Sequence, residues 1–183
     1  LDLRGDLDVE ALGGAVRHAV ARHEPLRTVY PEHDGRPVME IRSADEVVSA
    51  FTTVVTDDAG ADADAAVLAR RGFDLTTEAP IRIALHRIEN GRDGGALRDT
   101  RLAPRSSPTS ESGEQHHKLT IVVHHIAADG WSMTPLARDI AEAYADLRAG
   151  RSPAQRPLSV GYRDYLRWQA ENLGVDPQRG LSI

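Results

Sequence analysis

Two adjacent histidines and an aspartate four residues beyond the second are the residues best placed for acid–base chemistry. They lie in His124-His125-Ile126-Ala127-Ala128-Asp129-Gly130-Trp131-Ser132. The run before them, Leu119-Thr120-Ile121-Val122-Val123, is nearly continuous in apolar character, which predicts a central strand covered on both faces. Successive strand side chains point to opposite faces, so one imidazole faces inward and the other faces the space beyond the strand end. A free imidazole titrates near neutral pH, which makes one of the pair a candidate general base. Gly130 permits a tight turn that folds the Asp129 carboxylate back beneath the loop. Strand ends are also where layered α/β folds place reactive groups.

Three other readings compete for these residues. The blandest is a pair of core histidines bonded to backbone. A metal site would use His124, His125 and Asp129, but adjacent strand residues face apart and no clear outside ligand completes the set. A serine hydrolase would use Ser132, but Gly130-Trp131-Ser132-Met133-Thr134 lacks the second glycine of a nucleophile elbow. Ser132 fits the start of the following helix better.

Composition narrows the classes further. The chain has 183 residues, 22 Lys+Arg and 28 Asp+Glu, a net charge of −6 that suits neither nucleic acid nor an anionic membrane surface. Its 40% hydrophobic and 27% charged residues are ordinary for one globular domain. No apolar run is long enough to span a bilayer, and a cytoplasmic location is expected. With no cysteine there is no disulfide, thiol nucleophile or thiolate metal site.

Positioning the histidines falls to a mixture of strands and helices. Leu1 to Leu3 reads as strand, and residues 8–23 as a helix capped by Asp8 and stopped by Pro25. Leu26 to Tyr30 reads as a strand, with Asp34-Gly35 as the turn and Arg36 to Ile41 as the return. Phe51 to Val55 is β-rich, and 61–71 reads as helix. Pro80 to Ile88 alternates as a strand with one polar face. The 27 residues 90–116, with four Gly, two Pro, four Ser and no apolar periodicity, read as a disordered insertion between partner strands. A helix over about 134–149 is expected, with Thr134 as its cap, Gly150 as its stop, and Leu136, Ile140, Ala143, Tyr144 and Leu147 as its buried stripe. Arg151 to Pro157 is a linker before a last helix at about 161–172. The class expected is α/β, or an α+β two-layer sandwich, a mixed sheet with helices packed on it.

Three ordered motifs now carry a resemblance. His-His-x-x-x-Asp-Gly-Trp-Ser at 124–132 is similar to the core motif of nonribosomal peptide synthetase condensation domains. Arg22-His23-Glu24-Pro25-Leu26-Arg27-Thr28-Val29-Tyr30 resembles that family's upstream motif, and Tyr162-Arg163-Asp164-Tyr165-Leu166-Arg167-Trp168 its downstream one. The double-histidine motif alone is shared across chloramphenicol acetyltransferase-like acyltransferases. The resemblance implies that residues 1–183 are a partial condensation domain, most of its N-terminal lobe, with 90–116 a disordered insertion and the C-terminal lobe lying beyond the chain.

What the resemblance implies chemically is amide formation. The amine of an aminoacyl thioester on one carrier protein attacks an acyl or peptidyl thioester on another. Both substrates ride on phosphopantetheine arms of upstream and downstream carrier proteins, so the chain itself binds no cofactor or metal. His125 becomes the catalytic residue, either taking a proton from the amine or positioning it. His124 becomes its inward, structural partner. Asp129 becomes an architectural carboxylate paired with an arginine, for which Arg27 is one candidate, and Arg22 and Arg27 support the site. Gly130 opens the backbone to substrate and offers an N–H to the developing oxyanion. Trp131 packs, as do Tyr162, Tyr165 and Trp168. The alternatives are a related acyltransferase using acyl-CoA with a free alcohol or amine, and a non-catalytic, partner-recruiting fragment. The isolated chain, lacking half of the substrate tunnel, is expected to be inactive.

Overall fold

A computed structural model of the chain describes residues 1–48, 53–89, 115–154 and 158–173. In chain order the elements are β1 (Asp2–Arg4), α1 (Val9–Arg22), a 3-10 turn (Glu24–Arg27), β2 (Thr28–Val29), β3 (Glu32–His33), β4 (Arg36–Pro37), β5 (Glu40–Ile41), α2 (Ala44–Val47), β6 (Thr53–Thr56), α3 (Asp58–Arg70), β7 (Ile81–Ile88), β8 (His116–Val123), α4 (Met133–Arg148) and α5 (Tyr162–Leu173). The class is α/β with a mixed sheet, as expected. The chain divides into two compact units. One comprises Leu1–Leu7, Phe51–Arg71 and Ile83–Ile121, and the other Asp8–Ala50, Gly72–Arg82 and Val122–Ile183.

The first unit is built on a four-stranded sheet in the order β1-β8-β7-β6. β1 pairs antiparallel with β8, Leu3 opposite His117, and β6 pairs parallel with β7, Thr53 opposite Leu85. Asp57 caps α3 by accepting from the Gly60 N–H at 2.7 Å, so this helix begins three residues before the sequence expectation. Ion pairs fasten it to the sheet. Lys118, the only lysine of the chain, reaches Asp58 at 2.9 Å and Asp62 at 2.8 Å, while buried His86 donates to Asp64 at 3.1 Å.

Two expectations about these strands need correction. The polar face expected for β7 is not solvated: Arg82 is 8% exposed and His86 is 2% exposed. Each polar head has a carboxylate partner, which is what lets it leave water. β8 is interior in strand order, but only His117 and Leu119 are fully buried and its last residues are half-buried. Of the segment 90–116, residues 90–114 lie outside the described residues, and His116 already belongs to β8.

The second unit centres on α1 against α4. Asp8 caps α1, accepting from the Ala11 N–H at 2.9 Å, and the buried face is Ala11, Leu12, Ala15, Val16, Ala19 and Val20. It packs on Leu136, Ile140 and Ala143 of α4, each fully buried large side chain contributing roughly 1.5–3 kcal/mol. Small residues allow close approach: a Cβ on Gly14 would stand 2.9 Å from Leu147 Cδ1. The helix stops at Arg22, but Pro25 then opens a 3-10 turn in place of the strand expected from Leu26. Only Thr28 and Val29 pair, with Ile41 and Glu40. Asp34 and Gly35, at φ 51° and 75°, form the expected hairpin turn between β3 and β4. Ser43 and Glu46 form a capping box on α2, a short helix that the sequence reading passed over. Gly150, at φ 70°, follows the end of α4 as expected. The described part of α5 has no buried residue; Tyr165 and Trp168 are exposed rather than packed.

Candidate active site

The second unit holds all three motifs. At the end of β8 the His124 N–H donates to the Pro80 carbonyl at 2.9 Å. The chain then turns, with the Ala127 N–H donating to the His124 carbonyl at 3.0 Å. Inside that turn His124 Nδ1 accepts from the Ile126 N–H at 3.0 Å. An imidazole nitrogen that accepts cannot carry hydrogen, so the neutral His124 ring is protonated on Nε2. The ring is half-buried and meets Phe73 edge-to-face, centroids 5.7 Å apart. His125, the next residue, is exposed. The two histidines thus differ in exposure, but both lie past Val123 in the turn after β8, not on alternating strand faces.

Among the described residues Asp129 meets no arginine. It is exposed, and its carboxylate accepts from the Ser132 hydroxyl at 2.7 Å and the Ser132 N–H at 2.9 Å. These donors hold the Asp129 carboxyl below the usual carboxylate range. Asp129 and Ser132 therefore bracket the last turn before α4, whose cap position is Ser132 rather than the expected Thr134. Gly130 has no positive φ, and a Cβ there would meet open space, so the turn itself does not demand glycine. Trp131 does not pack: it is 88% exposed.

Arg27 is engaged elsewhere. Its guanidinium donates to the Arg42 carbonyl at 2.7 Å and the Ala21 carbonyl at 3.3 Å, with Glu24 at 3.8 Å. Arg22 is the arginine that finds a buried carboxylate, and it is Asp139 of α4: Nε donates to Oδ2 at 2.9 Å. His23 Nε2 donates to the same oxygen at 2.8 Å. Burial alone pushes the Asp139 carboxyl up, but His23 and Arg22 outweigh it and hold it below the usual range. Asp139 escaped the sequence reading, although it sits on the Leu136–Ile140–Ala143 stripe, where an unpaired carboxylate would be costly.

The remaining motif residues tie the upstream motif to the downstream one. Glu24 Oε2 accepts from the Tyr162 N–H, at the start of α5, at 2.8 Å. Tyr30 is hydrogen-bonded to the Tyr162 side chain; burial first, then that bond, pushes its phenol above the ordinary range. A cavity of about 260 Å³, lined among others by His23, Leu26, Ala127, Ser132 and Leu136, separates the upstream motif from the His125 loop. Among the described residues no three His, Asp or Glu side chains are grouped to hold a metal ion. Nor is any described helix long and apolar enough to cross a membrane.

A double histidine just past a strand of a mixed sheet, beside two helices locked through a buried carboxylate, gives the class: an α/β fold with helices packed on a mixed sheet. Comparison with known proteins makes the assignment specific, because the condensation domain family model matches residues 1–94 and 109–178. The chain belongs to the condensation domain family. It is 44% identical over 180 residues to the isonitrile lipopeptide synthase of Mycobacterium tuberculosis, covering 95% of this chain and 6% of that protein. It is 36% identical over 172 residues to the dimodular nonribosomal peptide synthase of Bacillus subtilis, covering 94% and 6% respectively. The X-domain from teicoplanin biosynthesis, solved alone and in complex with OxyB, has TM-scores of 0.73 and 0.71 at 32% and 31% identity, covering 100% and 95% of this chain and 34% and 33% of its own. The chain thus spans a few per cent of these synthases and about a third of the solved domain.

Proposed function

We propose that this chain is part of a condensation domain that forms an amide bond between two carrier-bound substrates, with His125 as the catalytic residue. The acceptor amine attacks the thioester carbonyl; the C–N bond forms, the C–S bond breaks, and the donor carrier's phosphopantetheine leaves as the thiol. The ammonium of the acceptor must shed protons for this, and the His125 imidazole takes one or orients the amine that loses it. His124 acts through the turn it anchors, Asp129 by closing with Ser132 the turn before α4, and Gly130 by leaving the approach to that turn open. Arg22 serves by fixing α1 to α4 through Asp139, and Arg27 by bracing the 3-10 turn. The observation that carries this reading is the pairing of an exposed His125 with a fixed, tautomer-locked His124 at the end of β8. The carrier proteins and the remainder of the domain belong to the longer protein that such a reading requires.

The test uses the whole synthetase that carries this chain, with both carriers loaded. His125→Ala is expected to lower dipeptidyl thioester formation by roughly 10²–10⁴ while leaving thermal unfolding unchanged. Wild-type rates in that variant would overturn the assignment. Turnover with acyl-CoA and a free amine in place of the carriers would favour the related acyltransferase reading. A second reading, recruitment of a partner protein, draws on the X-domain solved in complex with OxyB. It predicts that the His125→Ala protein loses nothing and that the wild type makes no amide.

A further inference from the structure

Phe73 and Arg82 lie outside the three motifs, yet Phe73 meets His124 and Arg82 lies on the Phe73 ring. Arg82 is 8% exposed, and its guanidinium carbon sits 3.7 Å from the centre of the Phe73 ring. Its NH2 group donates to Glu78 Oε1 and to the Gly72 carbonyl, both at 2.7 Å. Glu78 Oε1 also accepts from the Asp74 N–H at 2.8 Å, and the Glu78 N–H donates to the Asp74 carbonyl at 2.8 Å. The segment 72–82 is therefore a closed, internally bonded loop with Phe73 held on it. A cation over an aromatic face is attractive, more so when desolvated. The ring so fixed meets His124 edge-to-face, at an interplanar angle of 78°. The same segment supplies the Pro80 carbonyl that takes the His124 N–H.

We infer that Phe73, clamped by Arg82, is a positioning residue for the reaction: it sets the His124 ring so that Nδ1 receives the Ile126 N–H, and thereby fixes the turn that presents His125. The chain of contacts runs Glu78, Arg82, Phe73, His124, Ile126, with His125 carried on the last link. An imidazole without a wall can rotate about its side-chain bonds; turning it takes Nδ1 away from the Ile126 N–H and releases the turn. Because reacting groups must be held close and aligned, a loosened turn lowers the rate without weakening carrier docking. This inference rests on the proposed amide-forming role for its kinetic half only.

The experiment has two readouts in the full-length protein. The first needs no activity: hydrogen exchange of the Ile126 amide, resolved by mass spectrometry with electron-transfer fragmentation. Phe73→Leu keeps an apolar side chain but removes the wall, and should speed exchange at Ile126 by about tenfold while amides within α1 and α4 keep their rates. Phe73→Tyr keeps the ring and should restore the wild-type rate. Arg82→Met, which frees the ring, should fall between the two. The second readout is steady-state condensation with loaded carriers. Phe73→Leu should lower kcat roughly 10–100-fold at unchanged KM, and Phe73→Tyr should recover it. Unchanged exchange at Ile126 in Phe73→Leu would overturn the inference, as would faster exchange with wild-type kcat. Acceleration that spreads equally through α1 and α4 would also overturn it, since it would mark general destabilisation. If the wild type forms no amide at all, the proposed function fails, and exchange at Ile126 alone decides whether Phe73 holds the turn.

Discussion

Arg22 of α1 donates to Asp139 of α4, Nε to Oδ2 at 2.9 Å, and His23 shares the same oxygen at 2.8 Å. With the Asp139 side chain only 4% exposed, this carboxylate is the polar centre of an otherwise apolar helix pair. Asp139→Ala removes the acceptor that Arg22 and His23 share. Breaking a buried pair in this way costs about 3–5 kcal/mol, and the lower end is expected because Arg22 retains 19% exposure. Chemical denaturation of the purified protein measures it. A loss no larger than that of an exposed aspartate would contradict the structural weight given to this pair.

The same carboxylate has a pH signature. Its folded-state acidity is stronger than its unfolded-state acidity, so its stabilising contribution is complete above the unfolded value and is lost as pH falls through the lower, folded one. Unfolding free energy should therefore drop below about pH 4, and Asp139→Asn should flatten that part of the profile. An identical slope in the variant would show that other carboxylates carry the acid sensitivity.

His117 acts in a higher window. Burial first, then Arg87 and His116, pushes its imidazole below the usual histidine range. The unfolded chain therefore binds this proton more readily, so stability is full above about pH 6.5 and declines as pH falls toward the folded value. His117→Phe should remove the dependence just below about pH 6.5 in a series of denaturation midpoints. A variant that keeps the wild-type slope in that range would locate the sensitivity at another histidine.

Asp129 and Ser132 form a local pair, so their substitutions should not add. Each of Asp129→Ala and Ser132→Ala is expected to cause a small loss of thermal stability, and the double variant should lose less than the sum of the two, because both remove the bond from the Ser132 hydroxyl to the Asp129 carboxylate, while the Ser132 N–H loses its acceptor only in Asp129→Ala. Additive losses would mean that each residue has an independent partner. The loss in Asp129→Ala should also be smaller than that in Asp139→Ala, since Asp129 faces water.

These two aspartates mark where the fold was legible in the amino-acid sequence. Local signals were read well: the Asp8 cap and the Asp34-Gly35 turn each act within a few residues of themselves. So does the glycine after α4. The motif puts His124 and His125 at a strand end, where they lie, but both belong to the turn after Val123, so strand alternation does not account for their unequal exposure. The family resemblance implies an arginine for Asp129, yet Ser132, three residues away, donates to it from both its hydroxyl and its N–H. The Arg22–Asp139 pair joins residues 117 positions apart. Periodicity alone could only have flagged a charge on an apolar stripe. Phe73 and Arg82 were equally silent, because stacking of a guanidinium on a ring leaves no periodic trace. The start of α3 was missed because Asp57-Asp58 reads as turn chemistry until the capping bond to Gly60 is seen.

Glu24 and Tyr30 offer a last, local test. The described length of α5 buries no residue, so its attachment depends on contacts at its first turn: the Glu24 carboxylate on the Tyr162 N–H at 2.8 Å, and Tyr30 on the Tyr162 hydroxyl. A hydrogen bond to a charged group contributes roughly 1.5–3 kcal/mol net, and a neutral one about 1. Glu24→Ala should accordingly raise the opening equilibrium of the first turn of α5 by about tenfold or more, and Tyr30→Phe by roughly fivefold. Glu24→Gln keeps an acceptor and should fall between Glu24→Ala and the wild type. Hydrogen exchange across residues 162–166 reads the change, with α1 and α4 as internal references. Equal acceleration in α1 would mean that Glu24 supports the 3-10 turn and the helix before it rather than α5. No change at residues 162–166 would mean that α5 is held by something other than the upstream motif.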